Sequence, residues 1–125
     1  QMAIISFDKD TVIDYVPVYS GNRDSVDPCI VRMKYIPYSR VQHYSRLLAA
    51  KTKVATDQLK VSEAAQFVQK RQFVESVEGV SGYYIEGRET ADVEEFYETA
   101  DSDLVIEIIQ AMESTSRLSE GQRKN

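Results

Sequence analysis

Apolar and polar side chains alternate along the first third of the chain, in the way that is typical of β-strands. Residues 11–18 are rich in β-branched and aromatic side chains and include Pro17, which favours a strand at the edge of a sheet. Residues 20–25 have the Gly, Asn and Asp content of a loop. Residues 29–36 then alternate with a period of two, and their apolar face comprises Cys29, Val31, Met33 and Tyr35. We therefore expect a small antiparallel sheet or hairpin that is covered on one face.

Further along the chain, apolar residues recur every three to four positions, which predicts helices that pack along one side. A first helix is expected over about residues 39–51, where Ser39 and Gln42 fit a capping box at its start. A second helix is expected to begin near residue 56 or 62 and to stop at Gly79. The first apolar stripe comprises Val41, Tyr44, Leu47 and Leu48, and the second comprises Ala64, Phe67, Val68, Val74 and Val77.

Two more helices are predicted in the last third of the chain. A turn-rich link, with a short strand at residues 83–85, leads to a short helix at about residues 92–99, whose acidic first turn suits the positive end of the helix dipole. The last helix is expected over residues 101–116, capped by one of the polar residues at 101–103. Its apolar side comprises Leu104, Val105, Ile108, Ile109 and Met112.

The order of these elements predicts the fold class. A chain of 125 residues fits one domain. Within it we expect a β region at about residues 3–36, a helical region at about residues 39–116 and a polar tail at residues 117–125. Because strands come first and helices follow, the predicted class is α+β, with a short N-terminal antiparallel β region followed by a mainly helical domain.

The formal net charge of −5 conceals an uneven distribution. Residues 1–72 carry 11 basic and 7 acidic side chains, for a net charge of +4. Residues 73–113 carry 12 acidic side chains and one basic, for −11, and residues 114–125 carry three basic and one acidic, for +2. Such polarity suits head-to-tail self-association or a partner with its own charge stripe, and solvated helix faces are the alternative interpretation. The acidic balance argues against general nucleic-acid binding.

The stretch IISFDKDTVI at residues 4–13 resembles the first motif of the haloacid dehalogenase-type phosphotransferases. In that family the first aspartate of the motif, here Asp8, is the nucleophile, and the second, here Asp10, is the acid/base. Their fold is a doubly wound sheet, whose strands alternate with helices. This chain offers at most one short strand after the predicted sheet. We therefore interpret Asp8 and Asp10 as part of a turn that links a strand at residues 3–7 to residues 11–18, and keep the phosphatase as a remote alternative.

No other constellation in the sequence predicts catalysis. His43 is the only histidine and Cys29 the only cysteine, so the chain holds no set of zinc ligands of these types and no internal disulfide. A glycine-rich phosphate loop and a calcium loop are also absent from the sequence. We therefore expect no cofactor, no metal and no enzymatic activity. Without a run of about 18 apolar residues or a signal-peptide pattern, a cytoplasmic location and no membrane span are expected.

The final segment, ETADVEEFYETADSDLVIEIIQAMESTSRLSEGQRKN at residues 89–125, combines a short acidic helix, a long apolar-faced helix and a polar end. In this layout it resembles the tail assembly chaperones of long-tailed bacteriophages, and the likeness in actual residues is concentrated at 104–125. The front of the chain, with a Pro-containing strand, an Asn-Arg-Asp loop and a Pro-Cys strand, is compatible with that family. The resemblance implies a small, acidic, cytoplasmic protein with a short β region followed by helices.

The resemblance also implies a role in phage or prophage tail assembly inside the bacterial host cell. Tail assembly chaperones bind the long helical tape-measure protein, keep it soluble and recruit tail-tube subunits, and some are also made in a frameshift-extended form. The implied partners are therefore the tape-measure protein and the tail-tube protein. A virion structural tail component, such as a completion or connector subunit, is the alternative.

Candidate partner-binding residues lie on the last predicted helix. A protein that binds an exposed apolar helix needs an apolar groove or stripe with a polar rim. Leu104, Ile108 and Met112 form such a stripe, in which Met112 is the most adaptable member. The same three residues also fit ordinary core packing, and the sequence leaves both interpretations open.

A second candidate lies in the predicted polar tail. Leu118 is an apolar residue near the basic Arg123 and Lys124. This combination suits docking on an acidic neighbour, such as the face at residues 94–98 of another copy. A frayed and solvated chain end is the alternative interpretation.

Overall fold

The computed structural model describes the backbone of residues 11–124 and the side chains of residues 11–114. The strands are β1 (Val12–Tyr15), β2 (Ile30–Lys34), β3 (Val77–Ser81), β4 (Tyr84–Ile85) and β5 (Arg88–Glu89). The helices are α1 (Tyr38–Lys53), α2 (Gln58–Ser76), α3 (Val93–Thr99) and α4 (Ser102–Lys124). Antiparallel strands lie in the N-terminal region and helices dominate the remainder, so the predicted α+β class is confirmed.

The main sheet has three antiparallel strands in the order β1, β2, β3, so that β2 is central. Val31 lies opposite Tyr15 on one side and Val80 on the other, and these three side chains belong to the face that packs on the helices. Arg32 points to the opposite face, where it forms ion pairs with carboxylates on both neighbouring strands. The predicted alternation in β2 is confirmed, because Val31 and Met33 are buried while Arg32 is exposed.

The sequence predicts that the second helix continues to Glu78 and stops at Gly79, and this prediction is wrong. α2 ends at Ser76, and the chain enters β3 at Val77 without an intervening residue. The register between β2 and β3 shifts within the ladder, and this irregularity lets Val77 and Val80 both face the core although they are three positions apart. Gly79 therefore lies inside a strand.

The core lies between the sheet and helices α2, α3 and α4. Phe73 of α2 and Phe96 of α3 are both 0% exposed, and their rings stack with centroids 6.2 Å apart and planes 13° apart. The ring of Tyr97 lies 5.0 Å from that of Phe73, and the ring of Tyr83 meets Phe96 edge-on at 4.6 Å. The other buried members of this cluster are Val31, Met33, Val77, Val80, Leu104, Ile108 and Met112. The centre of the core is thus aromatic.

α1 begins differently from its predicted capping box. Pro37 occupies the N-cap position with φ −68° and ψ 157°, and no side chain caps the helix. The carbonyl oxygen of Pro37 accepts from the backbone N–H of Arg40 at 2.9 Å. The extended backbone of Pro37 sets the helix start one residue earlier than predicted, so the predicted box of Ser39 and Gln42 does not form.

α2 shows which predicted apolar positions are buried. Asp57 caps the helix, because its carboxylate accepts from the backbone N–H of Lys60 at 2.9 Å. The buried residues of α2 are Ala64, Val68, Phe73 and Ser76. Phe67, which the sequence places in the stripe, is 50% exposed, and the ammonium of Lys51 lies 4.0 Å from its ring centroid. A cation over an aromatic face compensates part of this exposure.

α4 buries the predicted stripe and is longer than predicted. Asp101 caps the helix through a 2.8 Å bond from the backbone N–H of Asp103. Leu104, Ile108 and Met112 are all buried, and the helix continues to Lys124 instead of ending at residue 116. The features that lie outside the described residues are the strand at residues 3–7, Asp8, Asp10, and the side chains of Leu118, Arg123 and Lys124.

Glu107, in the second turn of α4, anchors the segment that follows β1. Its carboxylate accepts from the hydroxyl of Tyr15 at 2.6 Å, from the backbone N–H of Val18 at 2.7 Å and from that of Tyr19 at 3.1 Å. The next residues, Tyr19–Asp24, form a short 3₁₀ segment where the sequence predicts a loop. The sheet and the last helix are therefore joined through one carboxylate as well as through the core.

Candidate protein-binding groove

α1 is an amphipathic helix whose apolar face is only partly covered. Among its residues only Tyr44 is buried, while Leu47 and Leu48 are half-buried and Val41 is 36% exposed. The main packing partner of α1 is α2, which joins it to form a helical hairpin. Apolar side chains of α1 therefore remain available on the side that faces α4.

A groove of about 430 Å³ lies between α1, α2 and α4. Val41, Tyr44 and Leu48 line it from α1, and Val68 and Met112 line it from the other two helices. Its remaining lining residues are Ile36, Tyr38, Ser45, Gln72 and Glu113. A smaller cavity of about 180 Å³ shares Leu48, Val68, Gln72, Met112 and Glu113 with it, and together they form the surface that we call the groove. The groove is thus mostly apolar, with polar side chains among its lining.

Glu75 joins the two helices of the hairpin beside the groove. Its Oε1 accepts from the hydroxyl of Tyr44 at 2.5 Å and from a guanidinium nitrogen of Arg40 at 2.8 Å. Its Oε2 lies 3.2 Å from Nε of Arg71, one turn earlier on α2. These bonds fix the ring of Tyr44 as one wall of the groove. The hydrogen bond from Tyr44 is the main cause of a lowered pKa of Glu75, with further contributions from Arg71 and Arg40 that outweigh the opposing effect of burial.

The lowered pKa of Glu75 predicts how the hairpin responds to acid. Because the folded-state pKa lies below the ordinary value of 4.5, the stabilisation is fully present above pH 4.5 and is lost as the pH falls through the lowered value. We expect Glu75→Gln to unfold at lower temperature than the parent at neutral pH, with a difference that shrinks below pH 4.5. Thermal unfolding followed by circular dichroism across this range measures the effect. Glu63→Gln, an exposed position on the same helix, is the control and should show no such convergence.

The structure separates the three described candidate residues of α4. Met112 lines the groove and is 6% exposed. Ile108 is fully buried in the core. Leu104 is buried and lines a different cavity, of about 340 Å³, beside Cys29 and Tyr83. The predicted stripe is therefore mainly core, and only Met112 of these three reaches the groove.

Sequence reasoning did not identify the α1 side of the groove. The sequence predicts Val41, Tyr44 and Leu48 as part of an apolar stripe but assigns no partner-binding role to it. Tyr38 is 64% exposed at the edge of the groove. It precedes the predicted helix and does not belong to the predicted apolar stripe.

The residues with reactive or metal-ligating side chains lie apart from one another in the described part of the chain. Among residues 11–114, whose side chains the structure describes, no group of three or more His, Cys, Asp or Glu side chains could hold a metal ion. Cys29 is half-buried, and burial raises the pKa of its thiol, which disfavours the nucleophilic thiolate. The rings of His43 and Tyr44 lie edge-to-face, with their centroids 5.6 Å apart.

Comparison with known proteins gives no further guide. The chain matches no protein-family model, no curated protein and no solved structure. Over the part of the chain that the structure describes, none of the helices has the length and apolar character needed to cross a membrane.

Proposed function

We propose that this chain is a non-enzymatic binding protein of the tail assembly chaperone type, which holds an apolar helical segment of a phage tape-measure protein in the groove. The observation that carries the proposal is the groove itself, an apolar surface between three helices that the described residues leave open. The resemblance of residues 89–125 to tail assembly chaperones supplies the identity of the partner. Recruitment of tail-tube subunits and action in the host cytoplasm belong to the same proposal.

The dimensions of the groove suit a helix as the bound element. Along α1 the lining extends from Tyr38 to Leu48, which corresponds to about 15 Å at 1.5 Å per residue. About three turns of a partner helix can lie along this length and place apolar side chains at positions i, i+3 or i+4, and i+7. Met112 lies between the helices, where its flexible thioether adapts to different side chains. The tyrosines add large and rigid contact area.

Co-expression with the tape-measure protein of the same phage or prophage tests the function directly. We expect this chain to keep the tape-measure protein soluble and to elute with it from a size-exclusion column. If the tape-measure protein remains insoluble and this chain elutes alone, the chaperone assignment is wrong. Detection of the chain in purified particles would then favour the virion structural alternative.

A substitution in the groove tests whether the groove is the binding surface. Val41→Glu places a charge on the α1 side of the groove, at a residue that is 36% exposed and can be replaced with little effect on the core. We expect it to weaken binding of the tape-measure protein by about tenfold or more, because a buried unpaired charge at the centre of an interface is costly. Pull-down titration with tagged tape-measure protein measures the loss.

Val26→Glu is the matched control for this experiment. Val26 is fully exposed and does not line the groove, so the same substitution there adds the same charge without touching the proposed surface. Binding by Val26→Glu should equal that of the parent. Equal loss in both variants, or in neither, would exclude the groove as the binding surface.

A further inference from the structure

The two ends of α2 carry opposite charge. We define the hairpin tip as residues 51–60, which contain three basic residues and one acidic residue, for a net charge of +2. We define the acidic end as residues 92–103, which contain six acidic residues and no basic one, for −6. The tip lies where α1 passes into α2, and the acidic end lies beside the C-terminal part of α2, where α3 packs.

Among the described residues, the acidic end does not compensate the charge of the tip. Lys70 of α2 forms ion pairs with Glu94 (3.3 Å) and Glu98 of the acidic end. Lys60 lies ten residues before Lys70, which corresponds to about 15 Å along the helix axis. This separation exceeds the screening length of about 8 Å at physiological salt. The acidic end therefore neutralises Lys70 but not the tip.

Both surfaces keep charges without an ion-pair partner among the described residues. At the tip these are Lys53 and Lys60. The third basic residue of the tip, Lys51, lies over the ring of Phe67. At the acidic end they are Glu95 and Asp103, while Asp92 and Asp101 cap α3 and α4. Each surface thus has charge left for a second molecule.

The tip also exposes two apolar side chains. Val54 is 77% exposed and Leu59 is 67% exposed, on either side of the connection between the helices. The position of Lys51 and Lys53 in the last turn of α1 suits the negative end of the helix dipole, but this gives no reason for two exposed apolar residues nearby. Near the acidic end, Ile106 on the first turns of α4 is half-exposed. Apolar residues among complementary charges are typical of a protein interface.

We propose that the hairpin tip of one copy docks on the acidic end of a second copy, head to tail. Because the two surfaces are different and lie at opposite ends of α2, each copy keeps one free surface of each kind after docking. Such a heterologous contact extends into rings or open chains and does not stop at a dimer. This association goes beyond the proposed function, and its surfaces do not include the residues that line the groove.

Sedimentation velocity of the full chain over a range of concentrations tests the proposal. At about 0.1 M salt we expect species that grow with concentration beyond a dimer, and at about 1 M salt, where the screening length falls to about 3 Å, we expect monomers. A chain that stays monomeric at every concentration overturns the proposal. So does a dimer that neither grows nor responds to salt.

Charge reversal identifies the two surfaces. Lys53→Glu/Lys60→Glu makes the tip acidic, and Glu95→Lys/Asp103→Lys makes the acidic end basic. Each variant alone should show at least a tenfold higher dissociation constant, since like charges then face each other. The control Lys34→Glu/Arg88→Glu changes the net charge of the chain as much as the tip variant, at exposed residues outside both surfaces, and should associate as the parent does.

Mixing the two reversed variants gives the decisive result. The acidic tip of one then meets the basic end of the other, and the remaining tip and end keep their native charges, so the mixture should associate again. Rescue also shows that neither variant failed to fold. A mixture that stays monomeric, although circular dichroism shows both variants folded, overturns the proposal. The single substitutions Lys53→Glu and Glu95→Lys repeat the test if a double variant unfolds.

Discussion

Phe73→Ala is expected to lower the free energy of unfolding by about 3–5 kcal/mol. Phe73 is 0% exposed and packs on both Phe96 and Tyr97, which belong to a different helix. Its removal leaves a cavity where α2, α3 and the sheet meet, and fixed secondary structure allows little collapse. Since domains of this size are stable by about 5–15 kcal/mol, the variant should be marginally folded.

Urea denaturation at constant temperature measures this loss. Phe67→Ala is the matched control, because it removes the same atoms from the same helix at a side chain that is 50% exposed. We expect the control to cost about 1 kcal/mol or less, through lost contact with Lys51. If the two variants are equally stable, then Phe73 does not lie at the centre of the core as described.

Glu107→Gln is expected to destabilise the protein by about 2 kcal/mol. The carboxylate accepts from Tyr15, Val18 and Tyr19, and hydrogen bonds to a charged group are worth about 1.5–3 kcal/mol each when buried. Partial exposure of this site reduces the sum, because water replaces some of the lost bonds. The amide of glutamine keeps one acceptor oxygen and presents an NH₂ group, which cannot accept, to the remaining donors.

Thermal unfolding should show a decrease in Tm of about 8 °C for Glu107→Gln, at about 4 °C per kcal/mol for a domain of this size. Glu113→Gln, on an exposed turn of the same helix, is the control and should unfold with the parent. The tyrosine absorbance provides a second readout. Burial, followed by the hydrogen bond and charge of Glu107, raises the pKa of Tyr15 to about 12, and we expect this pKa to fall towards 10.0 in the variant.

The raised pKa of Tyr15 predicts how its contribution to stability changes at alkaline pH. Because its folded-state pKa is raised, its contribution to stability is fully present below pH 10.0 and is lost as the pH rises through about 12. Subtracting the titration of Tyr15→Phe from that of the parent isolates this group from the other tyrosines. A Tyr15 that titrates at its ordinary pKa would contradict the bond to Glu107.

Local patterns predicted much of the fold, and β3 shows where they fail. Val77 and Val80 are three positions apart, a helical spacing, and follow directly on the apolar stripe of α2. Only pairing with β2, more than 40 residues earlier, converts this spacing into a strand, because the register shift turns both side chains to one face. No window of sequence contains that information.

The groove was predictable only in part, for a similar reason. The apolar character of Met112 and of the α1 stripe is visible in the sequence, but whether a stripe is covered depends on the number of neighbouring helices. The bonds of Glu75 to Tyr44 and Arg40 join residues 31 and 35 positions apart, so their effect on the shape of the groove could not be read from spacing. Candidate residues identified from a stripe are therefore a mixture of core and surface.

The direct passage from Ser76 of α2 into Val77 of β3 makes this junction intolerant of changes in chain length. One inserted or deleted residue would turn Phe73 by about 100° relative to the strand, or would turn the buried side of β3 outward. Natural variants and engineered fusions should therefore differ in length at the α1–α2 connection or at the turn between β4 and β5, and not here. The junction therefore fixes the position of the sheet relative to the helical hairpin.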